Sequence, residues 1–142
     1  PLYFTAQTIG AFLGGIFVLF VIGDYANLGT NAPDISYPLS AVFGYEVIAS
    51  IFLMGVIYIV VRFKKLRMLT GVAIGGIIAI DVLLFGEVSG ASMNPIRSLA
   101  PAIISGIPGD LWLYCTTPFI GMLIVAAIYK ALSRRTKNTS TH

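Results

Sequence analysis

The sequence predicts an all-α membrane protein with four spanning helices and one re-entrant half-helix. Three observations carry this. Of 142 residues, 57% are hydrophobic and 11% charged, and mean hydropathy is +0.91, where soluble domains carry about 25% charged residues. The apolar residues gather into four runs, at about 3–23, 39–61, 68–86 and 111–132, each close to the roughly 20 residues a helix needs to cross a bilayer. Eight of the nine Lys and Arg residues sit in two clusters beside these runs, Arg62 to Arg67 and Lys130 to Lys137. Runs of this length without period-two alternation exclude strands. Cations that flank apolar runs fit membrane topology rather than a nucleic-acid surface.

The elements follow in order. The chain opens at Pro1 without Met or a signal-peptide pattern, and its first run starts almost at once, which reads as a truncated start. That run, from Tyr3 to Gly23, contains Gly10-x-x-x-Gly14, a spacing that permits close helix contact. Asp24 to Pro38 is a loop of turn formers, among them Asn27, Gly29, Pro33 and Asp34. It has no Lys or Arg, so it lies outside. Its Asn31-Ala32-Pro33 reads as a turn. The second run, Leu39 to Val61, carries Glu46. Arg62, Lys64, Lys65 and Arg67 place the following link in the cytoplasm. The third run, Met68 to Gly86, holds Gly71-x-x-x-Gly75 and Asp81, and Glu87 follows it. The fourth, Leu111 to Leu132, ends in a polar tail, 133–142, whose Arg134, Arg135 and Lys137 place the C-terminus in the cytoplasm too.

Two basic segments on one side require an even number of crossings between them. The third and fourth runs supply both. Pro95 to Ser105 is therefore not a full span: it reaches about halfway, dipping in from outside and returning. Backbone from Gly86 to Met93, rich in Gly and Ser, suits an extended path that exposes carbonyls. Such a path is tolerated at membrane depth only inside protein or beside a wet cavity. Asn94 is a preferred helix N-cap, and Pro95 suits the first helical position. The half-helix then begins at mid-membrane with its positive dipole end there. If the Asn94 oxygen caps this helix, its amide donors face the lumen. Arg97, one turn on, is the single cation in the apolar middle of the chain, and an ionisable group there marks a substrate path. It offers up to five donors, and with the helix dipole it repels cations.

These residues resemble the aquaporin, or major intrinsic protein, family. The stretch Gly90-Ala91-Ser92-Met93-Asn94-Pro95-Ile96-Arg97-Ser98-Leu99-Ala100-Pro101-Ala102 is similar to the family's second signature loop, with Ile96 in place of the usual Ala. Gln7 and Gly10 to Gly15 resemble its third helix; Trp112, Pro118 and Gly121 resemble its sixth. The resemblance implies an aquaporin-like helical bundle fragment that lacks the first two helices and the first Asn-Pro-Ala loop. It implies that Arg97, Ala91 and Val82 occupy three of the four filter positions, and that the bulkier Ile96 alters the central constriction. Val82 and Ala91, without the usual His, resemble the nodulin-like plant subfamily and its bacterial relatives, which pass glycerol-like solutes or metalloid acids. Ser98 and Ala102 instead look like the water-channel pattern. Tyr114 and Cys115 fall on two sixth-helix marker positions, and Cys115 fits neither group well. In the family, a glutamate at the position of Glu46 accepts hydrogen bonds from the second loop; a titrating gate is the alternative for it. Asp81 is expected to bond a neighbouring helix or subunit, and Glu87 to meet solvent.

The expected function is a passive channel for water or small uncharged solutes that excludes protons and ions. Its pore residues are Asn94, Pro95, Ile96, Arg97, Ala91, Val82, Gly90 and Ser92, and Glu46 supports the loop. The expected partners are the lipid bilayer, water and small neutral solutes, with no nucleic acid. The resemblance implies a homotetramer in the plasma membrane. The alternatives are a proton-coupled transporter using Asp81 or Glu46, and a non-conducting half-channel or membrane adaptor. No enzyme, cofactor or metal is expected: the lone His142 is terminal, Cys115 is a packing thiol, and no Cys/His cluster or partnered nucleophile is present.

Overall fold

The computed structural model describes residues 2–139 and is all-α. Helices α1 (Leu2–Val21), α2 (Leu39–Arg62), α3 (Thr70–Ser89) and α5 (Leu111–Thr139) are long and apolar enough to cross a membrane. Helix α4 (Pro95–Ser105) has 11 residues, about 16 Å at about 1.5 Å per residue. No strand occurs among the described residues.

Three boundaries differ from the sequence reading. Helix α3 continues past Gly86 to Ser89, because Glu87, Val88 and Ser89 contain no breaker. Gly90, at φ 82°, then ends it in the left-handed conformation. The unwound segment is therefore confined to Gly90–Met93, not Gly86–Met93. Helix α5 runs on to Thr139 rather than stopping near Leu132. The basic link is a short 3-10 helix, Lys64–Leu69. His142 lies outside the described residues.

Helix α2 is the centre of the packing, flanked by α3 and α5; α4 lies between α1 and α5. One apolar cluster joins Ala49 and Leu53 of α2 to Ala91 and Met93 of the loop, with Ile74, Ile77 and Phe85 of α3 packed on it. A second joins Val42 to Leu113 and Tyr114. The close helix approach is at Gly121, not at the expected glycine pairs. A Cβ there would meet Ser50 Cβ at 2.6 Å and the Val47 carbonyl oxygen at 2.8 Å. Gly10, Gly14, Gly71 and Gly75 have open space where a side chain would go, so those two motifs bring no described helix close.

Helix α1 buries none of its residues, and large apolar side chains such as Phe17, Phe20 and Leu83 of α3 stay exposed. An apolar surface of this extent suits lipid or further protein rather than water.

Candidate functional site

The site is built around the short unwound segment between α3 and α4. Gly90, Ala91 and Met93 all have positive φ, at 82°, 43° and 52°. For Ala and Met this is a strained region, costing of order 1–3 kcal/mol each. Something must hold the strand, and Glu46 does. Its Oε1 accepts from the Ser92 N–H at 2.9 Å and from the Ser89 hydroxyl at 2.8 Å; its Oε2 accepts from the Met93 N–H at 3.1 Å. Glu46 has no exposed surface. Bonds to a buried carboxylate are about twice as strong as neutral ones, so these three offset the backbone strain. Ser89 adds a further prop, its hydroxyl accepting from the Ala91 N–H at 3.1 Å. The buried Tyr114 hydroxyl donates to the Ser89 carbonyl at 2.7 Å and ties α5 to the same point.

The start of α4 follows from Asn94 and Pro95. Asn94 Oδ1 accepts from the Ile96 N–H at 3.0 Å and caps the helix. With its oxygen committed to the cap, Asn94 keeps only the donors of its Nδ2 amide to offer elsewhere. Ser92 and Ser98 hydroxyls bond each other, and Ser92 also donates to the Asn94 carbonyl at 3.0 Å. The first turn is thereby locked to the strand that precedes it.

Two cavities meet here. The first, of about 630 Å³, is lined by Val82, Ala91, Ser92, Asn94, Pro95, Ile96 and Arg97, together with Gln7 and apolar residues of α1, α2 and α5. The second, of about 420 Å³, lies between α1 and α4. Gln7, Asn94, Ile96 and Arg97 line both. The polar groups at this junction therefore converge on one space with mostly apolar walls. Gln7 is a site residue that the sequence reading quoted for the family pattern but gave no pore role. The signal was present: it is a primary amide inside an otherwise apolar run.

Gly90 departs from expectation. It lines neither of these two cavities, and its carbonyl accepts from Asn31 Nδ2 at 3.0 Å. The reading of Asn31-Ala32-Pro33 as only a turn is corrected by this contact. Asn31 is largely buried and lies against Gly90. A Cβ on Gly90 would come within 2.7 Å of Asn31 Nδ2. The Asp34 N–H also donates to the Val88 carbonyl at 3.2 Å, and the Thr30 and Ser105 hydroxyls bond at 2.9 Å. The loop after α1 is thus strapped across the ends of α3 and α4.

Asp81 makes no bond to a neighbouring helix: it is fully buried and neither oxygen has a partner. Glu87 is exposed. No group of three or more metal-ligating side chains occurs among the described residues.

The family model described as Major intrinsic protein matches residues 1–129. The chain is 39% identical over 140 residues to a protein named probable aquaporin NIP7-1 from Arabidopsis thaliana, covering 96% of this chain and 50% of that protein. It is 40% identical over 146 residues to aquaporin NIP3-1 of the same plant, covering 98% and 45%. It is 34% identical over 149 residues to nodulin-26 of Glycine max, covering 99% and 54%. The chain spans about half the length of the curated relatives it matches.

Proposed function

The chain belongs to the major intrinsic protein family, and from that premise we propose that this integral membrane protein lines a passive pore for water and small uncharged solutes. One observation carries the reading: the Asn94 oxygen caps α4 while the residue lines both cavities with Arg97. A solute oxygen passing this point meets amide and guanidinium donors. A cation or hydronium meets the positive end of α4 and the Arg97 charge. The carbonyls of the strained Ala91–Ser92 segment supply acceptors. Val82 and Ala91 leave the filter wide and apolar, which favours solutes larger than water. The resemblance of Val82 and Ala91 to the nodulin-like filter favours glycerol-like or metalloid solutes, and proteins named nodulin-26 and NIP7-1 are among the chain's relatives. Assembly is as a homotetramer in the plasma membrane, with the C-terminus and the Lys64–Leu69 link in the cytoplasm.

The test is a proteoliposome assay on the full-length protein. Arg97→Ala should raise proton leak at least several-fold while water flux changes less. Unchanged leak removes Arg97 from the exclusion mechanism. Solute accumulation above the bath, driven by a pH gradient, would replace the channel by a coupled transporter.

A further inference from the structure

We propose that Asp81 is a proton-binding site in the seam between α2 and α3, and that its charge controls how firmly the pore loop is held. The carboxyl has no exposed surface, and neither oxygen meets a donor. Ile77 and Phe85, one turn to either side on α3, pack against the cluster of Ala49, Leu53, Ala91 and Met93. An unpaired carboxylate in such surroundings is far costlier than the neutral acid, so the group holds a proton instead. No donor reaches it from lipid or another subunit unless the helices part.

The site is coupled to the loop by position. Asp81 lies about two turns before Ser89 on α3, the residue whose hydroxyl bonds Glu46. Glu46, on the neighbouring α2, is the charged group whose field reaches Asp81. Tyr45, also on α2, stacks on Phe85. Lys64, Lys65 and Arg67 of the 3-10 link are exposed, about three turns of α3 away. Among the described residues no cationic donor reaches either Asp81 oxygen. Losing its proton to water would add a second anion within the field of the carboxylate that clamps Ser92 and Met93. The clamp would weaken and the strained loop would relax.

Proton binding at Asp81 goes beyond the channel reading and is tested without any flux measurement. Infrared spectra of the full-length protein in lipid at mildly acidic pH, where a free aspartate is ionised, should show the carbonyl stretch of a protonated carboxylic acid. That band should vanish in Asp81→Asn, persist at a shifted position in Asp81→Glu, and disappear as the pH is raised. Identical wild-type and Asp81→Asn spectra would overturn the site, as would a mildly acidic spectrum with no such band. Should the amide variant fail to assemble, the unshifted band of Asp81→Glu would overturn it equally. The coupling has its own readout. The protection factors of the Ser92 and Met93 amides should fall as the band titrates in the wild type and stay constant with pH in Asp81→Asn; the same profile in both refutes the coupling.

Discussion

At the scale of the residue, Glu46 fixes the geometry of the pore loop. It takes three hydrogen bonds from residues 89–93, and two of those donors are backbone N–H groups of the strained strand. Glu46→Gln keeps the size but loses the charge and turns an amide donor toward a backbone donor. It should destabilise the folded protein by about 2–4 kcal/mol, read as a lower midpoint in thermal unfolding of the full-length protein in detergent. Ile96 works differently. It is 4% exposed and lines both cavities. Ile96→Ala should cost about 2 kcal/mol or more by leaving a void. On the proposed channel reading it should also raise the ratio of solute to water permeability in stopped-flow measurements, because a wall shared by both cavities recedes. An unchanged ratio would move the constriction elsewhere.

At the scale of the element, the close packing of α2 on α5 depends on one missing side chain. Gly121→Ala drives a Cβ into the α2 backbone at Val47 and should cost about 1–3 kcal/mol. Gly10→Ala and Gly71→Ala meet nothing within 4 Å and should lie within about 0.5 kcal/mol of wild type. Comparing the three melting curves checks both statements. This contrast shows what the chain declared in advance. Helix class, span count and family were legible because apolar length and the Asn94–Arg97 motif are local signals. The cap at Asn94 was equally local. Helix-to-helix proximity was not, because Gly-x-x-x-Gly spacing says only that an approach is permitted, whereas Gly121 carries no motif at all. The end of α3 was misjudged for a related reason. Gly86 and Gly90 are the same residue type, and only the tertiary demand for a left-handed turn selects the second. Asn31 lay hidden because its partner, the Gly90 carbonyl, is 59 residues away in sequence.

At the scale of the whole molecule, α2 packs with α3 and α5, and α1 with α4, the two groups meeting where α4 rests on α5 and through the loop between α3 and α4. Since α1 buries none of its residues, the strap at residues 30–34 carries much of its connection to α3. Asn31→Ala should remove about 1 kcal/mol of that connection and quicken amide hydrogen exchange at residues 88–94 with little effect on the centre of α2. Acid should act on the same strap. The Ser36 N–H, donating to Asp34 Oδ1 at 2.7 Å, holds the Asp34 carboxyl below its ordinary value. A lowered value means the turn is supported at neutral pH and released as pH falls through it, so the protection factor of the Ser36 amide should fall only under distinctly acidic conditions. The Glu46 clamp has a further consequence, for biogenesis. Its carboxylate precedes Ser92 by 46 residues, so at roughly 5–20 residues per second it leaves the ribosome about 2–9 s earlier. The acceptor is in place before the strand that needs it has been made. Ala91 and Met93, which do not favour positive φ by themselves, are thus moulded on a finished template, and a ribosome-stalled chain in which residues 1–110 have cleared the exit tunnel should already protect the Ser92 amide.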